Sequence, residues 1–249
     1  MVLKIKICLV IPIKNGNLNE SLSIFANAAK KSPDFIELRF DYIDNPKNLT
    51  MDYMKSLLKL SQIPVIFTFR NFNEGGVSNI SNDDRLNIFN RLIQVKPNYI
   101  DLEINNDLTF LKRIIPEIIK NKINLILSYH NYAKTPSYDV INNLIIKTKE
   151  RLTQDLNVSS SQLQRIIFKL IFMANKFEDN YIPLQLCQNL SKQNQKIISF
   201  CMGNLGFISR LLCIKNGSLL TYASLDTQTA PGQISIDSMK KFYDLLFST

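Results

Sequence analysis

Lys169 stands in the middle of an apolar run, Arg165-Ile-Ile-Phe-Lys169-Leu-Ile-Phe-Met-Ala174. If that run is a strand of a parallel sheet, both of its faces are dry and the ammonium loses its water on folding. Desolvation favours the neutral amine, and a neutral amine attacks a carbonyl carbon to form an imine. Two bland accounts compete: a lysine whose stem lies along apolar surface with its head at the edge, or one paired with a structural carboxylate.

The only histidine, His130, ends another apolar run, Leu125-Ile-Leu-Ser128-Tyr-His130. A lone histidine is more often a satisfied core residue than a catalyst. Beside a buried strand lysine, however, it adds a proton shuttle to an imine former. Glu37, Arg39 and Asp41 alternate with apolar residues, so on a strand they share one face and must neutralise one another there. Phe67-Thr68-Phe69-Arg70 runs into Asn71-Phe-Asn-Glu74-Gly75-Gly76, where Glu74 either orients an imidazole or is a solvated loop carboxylate. Asp101 and Glu103 again share a face and are expected to balance Arg39 and Arg70. Met202-Gly203-Asn204-Leu-Gly206-Phe-Ile-Ser209-Arg210 leads into a helix, and a helix start with an arginine suits a carboxylate or phosphate. Thr229-Ala-Pro231-Gly232-Gln233 has the turn residues of a closing loop.

These groups need a frame that brings strand ends together. Eight short β-branched or aromatic runs are expected as strands: 5–13, 35–43, 64–70, 99–104, 123–130, 165–174, 196–203 and 218–224. Segments of helical period lie between and after them: 18–31, 51–60, 82–95, 108–121, 137–156, 182–193, 205–214 and 236–247. Eight strand–helix units predict a single (β/α)₈ barrel over residues 1–249, with the chemistry at the carboxyl ends of the strands. No G-x-G-x-x-G follows the first strand, which argues against a dinucleotide fold. The stretch 152–165 is expected to be a long connection.

Composition narrows the classes further. With 45% hydrophobic and 20% charged residues, a large core can be buried and disorder is excluded. The net charge of +9 raises a nucleic-acid partner, but the 30 lysines and arginines form no run, so no such partner is expected. Cys8, Cys187, Cys201 and Cys213 lack C-x-x-C spacing and read as reduced core thiols. With one histidine, an all-protein zinc site is not expected. The apolar run 5–13 loosely imitates a signal peptide, yet Pro12 and the missing small-residue cleavage site argue against one. No stretch reaches the roughly 18 apolar residues of a membrane span. A cytoplasmic location is the expectation.

Taken together, E-L-R-F-D, F-T-F-R-x-x-x-E-G-G, the strand-end histidine, the buried strand lysine, M-G-x-x-G-x-x-S-R and A-P-G-Q resemble the type I 3-dehydroquinate dehydratases, from the second strand to the last helix. The resemblance implies that Lys169 forms an imine with the substrate ketone, and that His130 moves protons with Glu74 hydrogen-bonded to it. It further implies that Glu37, Arg39 and Arg70 bind substrate hydroxyls, while Arg210, Thr229 and Gln233 hold the carboxylate end and close the site. A monomer or homodimer without metal or other cofactor goes with it. At position 229 threonine stands where serine is frequent in the family, and the hydroxyl is kept. Two other readings compete: an aldolase-type imine barrel that cradles a sugar phosphate on Gly203, Gly206 and Gly232, and a basic binding module.

Overall fold

The computed structural model describes residues 5–225 and 228–247. Eight strands form one parallel sheet: β1 (Ile7–Pro12), β2 (Phe35–Arg39), β3 (Val65–Thr68), β4 (Tyr99–Glu103), β5 (Asn124–Asn131), β6 (Ile167–Met173), β7 (Ile197–Met202) and β8 (Thr221–Ser224). Their order is β8-β1-β2-β3-β4-β5-β6-β7, so each strand lies beside its sequence neighbour and β8 returns to β1. Between β7 and β8 the backbone bond from Leu219 N–H to Ile197 O (2.7 Å) stands in place of a ladder. The barrel is therefore nearly closed, with a seam at one position.

Helices α1 (Leu18–Lys30), α2 (Met51–Lys59), α3 (Asn82–Val95), α4 (Leu108–Lys120) and α5 (Tyr138–Gln154) follow the first five strands. A short α6 (Ser160–Leu163) precedes β6, and α7 (Tyr181–Lys192), α8 (Phe207–Leu212) and α9 (Ile236–Phe247) complete the chain. Most start on a short polar side chain: Asn17, Thr50, Ser81 and Asp107 each accept a first-turn N–H. At the opposite end of the barrel, Ser32, Lys96, Lys122 and Asn194 turn the chain with positive φ in a sequence with seven glycines. The strands are buried almost throughout, as expected of a sheet wrapped in helices.

Three expectations need correction. The run 35–43 is a strand only to Arg39, then a 3₁₀ turn over Phe40–Tyr42. The run 218–224 is a strand only from Thr221. The segment 205–214 divides into a 3₁₀ turn, the six-residue α8 and a second 3₁₀ turn. The long connection expected at 152–165 is present, running from the end of α5 to β6, and it contains α6, whose Ser159 and Gln162 form a reciprocal capping box.

Candidate active site

Lys169, at the centre of β6, is 5% exposed. Its Nζ lies 3.2 Å from Glu37 Oε1 and 2.9 Å from Asp101 Oδ2, with the Tyr222 ring 4.2 Å away on another side. The ammonium is thus not an uncompensated charge on a dry strand: two carboxylates from β2 and β4 cross the barrel to meet it. Glu37 also accepts from Thr68 Oγ1 (2.8 Å).

Asp101 is shared. Arg70 Nη2 reaches its Oδ2 at 2.8 Å, and Ser128 Oγ donates to its Oδ1 at 2.6 Å. Burial alone would raise this carboxyl, but Arg70 and Lys169 hold it well below the usual carboxylate range. Arg70 Nη1 donates to Glu103 Oε1 and Ser128 Oγ, and the other Glu103 oxygen pairs with Arg85 of α3. The expected balance of Asp101 and Glu103 against both arginines therefore holds for Arg70 only. Arg39 instead gives Asp41 a bidentate pair at 2.8 Å, and its Nη2 also donates to the Gly75 carbonyl (3.3 Å). Asp41 lies on the 3₁₀ turn rather than the strand, and it also accepts from Arg70 N and Val77 N. That double role ties both ends of the loop carrying Glu74.

Glu74 sits behind His130. Its Oε2 accepts from His130 N (2.9 Å) and lies 3.2 Å from His130 Nδ1, while Asn105 Nδ2 donates to Oε1 (3.1 Å). Burial, reinforced by the charge of Glu103, pushes the Glu74 carboxyl up to about 7. Burial, reinforced by Arg70 and Lys169, pushes the imidazole well below its usual range. Around neutrality the imidazole is uncharged, so the contact is a hydrogen bond rather than an ion pair. With Nδ1–H directed at Glu74, Nε2 is left as the free acceptor. The loop needs glycine at 75, where φ is +83° and any Cβ would strike the Tyr132 hydroxyl.

Arg210 departs from the expectation of a helix start, because it is the fourth of the six residues of α8. Its guanidinium stacks 4.4 Å over the Phe200 ring of β7, and Nη1 donates to the carbonyl of Tyr222 in β8 (3.3 Å). It thus occupies the seam where the two strands lack a ladder. Its Nε and Nη2 are buried without a partner, and burial lowers it to about 10. A buried cation with idle donors is costly, and it is a ready receptor for an anion. Thr229 donates twice to Gln233 Oε1, from N (2.8 Å) and Oγ1 (3.1 Å), which folds the last loop over the same opening.

These groups converge on a cavity of about 50 Å³ at the carboxyl ends of the strands. Eight of the nine residues expected at the site line it: Glu37, Arg39, Arg70, His130, Lys169, Arg210, Thr229 and Gln233. Glu74 stands directly behind the histidine. A roomier groove of about 210 Å³ between β1 and α1 is lined by the Lys14 amine but by no imidazole or guanidinium. The arrangement supplies an amine flanked by carboxylates, a neutral base and an anion anchor. The glycines do not form a phosphate cradle, since Gly203 N–H donates to Pro231 O and Gly206 N–H to Gly203 O. Gly232 abuts the Gly203 backbone so closely that no Cβ fits.

Sequence reasoning missed Tyr222, Asn105 and Arg85. Arg85 left a trace, falling on the same helical stripe as Ile88, Phe89 and Leu92, all buried. Tyr222 left none, as an aromatic residue is ordinary in a strand.

A model of the type I 3-dehydroquinase family matches residues 7–249. The 3-dehydroquinate dehydratase of Streptococcus mutans is 32% identical over 241 residues, 96% of this chain and 98% of that protein. That of Thermococcus onnurineus is 29% identical over 213 residues, 86% of this chain and 87% of that protein. Among solved structures, the type I 3-dehydroquinate dehydratase of Clostridium difficile, with covalently modified comenic acid, matches with a TM-score of 0.81 at 25% identity, over 99% of this chain and 93% of that one.

Proposed function

The chain belongs to the type I 3-dehydroquinase family, and from that membership we propose that it dehydrates 3-dehydroquinate to 3-dehydroshikimate, a hydro-lyase step of the shikimate pathway, through an imine on Lys169. The observation that carries the catalytic assignment is the convergence of the Lys169 amine, the neutral His130 imidazole and the idle donors of Arg210 on one cavity.

Each group has a task in this scheme. Arg210 takes the substrate carboxylate on Nε and Nη2, with Thr229 and Gln233 closing behind it. Glu37, Arg39 and Arg70 meet the ring hydroxyls. Glu37 and Asp101 hold the ammonium until it gives up a proton and attacks the ketone. The resulting iminium is an electron sink, so the adjacent C–H becomes acidic and Nε2 of His130 removes that proton. The same imidazole, now protonated, donates to the departing β-hydroxyl, which leaves as water. General acid–base help of this kind contributes about 10²–10⁴-fold. Glu74 fixes the tautomer that leaves Nε2 free.

We also propose that the chain acts as one barrel in the cytoplasm, without cofactor, metal or nucleic acid. Among the described residues no helix is long and apolar enough to cross a membrane. The exposed apolar side chains of Phe177, Tyr181 and Leu205 support a homodimer as part of this proposal, which light scattering would detect.

The test is enone absorbance from 3-dehydroquinate, joined to borohydride reduction in the presence of product. Turnover with adduct mass on the Lys169 peptide is expected. Turnover with the label confined to Lys134 or Lys215 would overturn the lysine assignment, and no turnover would overturn the activity.

A further inference from the structure

The Lys169 ammonium has three N–H bonds to direct, and Glu37 and Asp101 account for two of them. The ring of Tyr222 covers another side of the same nitrogen, its centroid 4.2 Å from Nζ. Tyr222 is a buried residue of β8, in register with Cys8 of β1 and packed against Phe200 with ring centroids 6.2 Å apart. Its hydroxyl is buried without a partner. No phenol hydrogen bond sets the ring's position, so the strand and the neighbouring ring must do so.

We propose that the face of Tyr222 is a further catalytic element of this site, stabilising the positive charge at Nζ in the imine stage; the proposal rests on Lys169 being the imine former. When the amine attacks, the carbonyl C–O bond breaks, and two hydrogens of the original ammonium leave with that oxygen as water. One N–H and the charge remain on the C=N nitrogen. A carboxylate needs an N–H to bond, so one of Glu37 and Asp101 loses its contact with Nζ at this step and keeps only its other donors, Thr68 for Glu37 or Arg70 and Ser128 for Asp101. An aromatic face attracts positive charge whatever the number of N–H bonds, and this contact persists. Without the ring, the ammonium of the resting site can turn its spare N–H to entering water. The iminium has none to turn. Losing the ring therefore penalises the iminium more than the ammonium.

The test compares wild type, Tyr222→Phe and Tyr222→Leu. The fraction of protein carrying a borohydride-reduced adduct is read by intact mass in the presence of the product enone, and affinity is measured for a ketone-free hydroxycyclohexane carboxylate. The phenylalanine variant keeps the face and should trap within about twofold of wild type. The leucine variant should trap less and turn over more slowly, each on the order of three- to thirty-fold, with unchanged affinity for the ketone-free ligand. Equal deficiency in both variants would assign the role to the hydroxyl and overturn the proposal. Normal trapping by the leucine variant would overturn it as well, as would an equal loss of ketone-free binding, which marks a packing role. Absence of any adduct on Lys169 in the wild type is a separate outcome that removes the imine assignment itself, and this proposal with it.

Discussion

Glu74→Gln removes a titration while keeping a hydrogen bond, which makes it a sharp test of the His130–Glu74 pair. A carboxamide oxygen in place of Oε2 still accepts from the His130 backbone and ring, but it cannot ionise. In the wild type, burial raises this carboxyl from 4.5 to about 7. A raised folded-state value means that the native chain binds the proton more tightly than the unfolded one. The stabilisation is then fully present below about pH 4.5 and lost as pH rises through about 7. At 1.36 kcal/mol per unit, the native state gives up about 3 kcal/mol across that window. Urea unfolding at intervals from about pH 5 to about pH 8 should show the wild type losing stability relative to the variant by that order. Turnover should follow the opposite trend. Wild-type kcat/KM is expected to rise about tenfold per unit below about pH 7, as the carboxylate forms and fixes the Nδ1–H tautomer. The variant should be slower at the plateau and lack that limb. An identical acid limb in the variant, or a stability difference that does not change with pH, would refute the assignment to Glu74.

Three further outcomes are expected. His130→Ala should still form the borohydride-trapped adduct while losing at least about 10²-fold in turnover; near-normal turnover would show that another group moves the proton. Arg210→Met should weaken substrate affinity by about 1.5–3 kcal/mol, the range of charge-assisted hydrogen bonds, without loss of thermal stability, because two buried donors without partners disappear; unchanged affinity in the folded variant would take Arg210 out of the site. Lys96, an exposed helix cap at φ 57°, should give about 1 kcal/mol of added stability as Lys96→Gly, visible as a melting-temperature rise of about 2–4 °C, and no rise would mean that its left-handed backbone is unstrained.

Periodicity made the architecture legible: strand runs alternating with helical stripes dictate a wrapped parallel sheet, and residues at strand ends then share one mouth. That is why Lys169, His130 and Glu37 could be expected at that mouth from residue types and spacing, while Asp101 and Glu103 were expected only to balance the arginines. Apolar burial also marked the four cysteines, all of them free and buried. Pairing was another matter, because which cation meets which carboxylate depends on register across strands distant in the chain. Asp101 is divided between Lys169 and Arg70, while Arg39 turns to Asp41 only because the strand ends at residue 39. Long-range packing likewise decided the chemistry of individual groups. Glu74 rises to about 7 because the fold buries it behind His130, which no local pattern around Asn71–Gly76 encodes. The seam between β7 and β8 is a property of the whole sheet, and it is where the arginine of α8 reaches the cavity with two idle donors. Tyr222, unremarked as an aromatic residue in a strand, becomes a neighbour of the amine only when the eighth strand closes on the first.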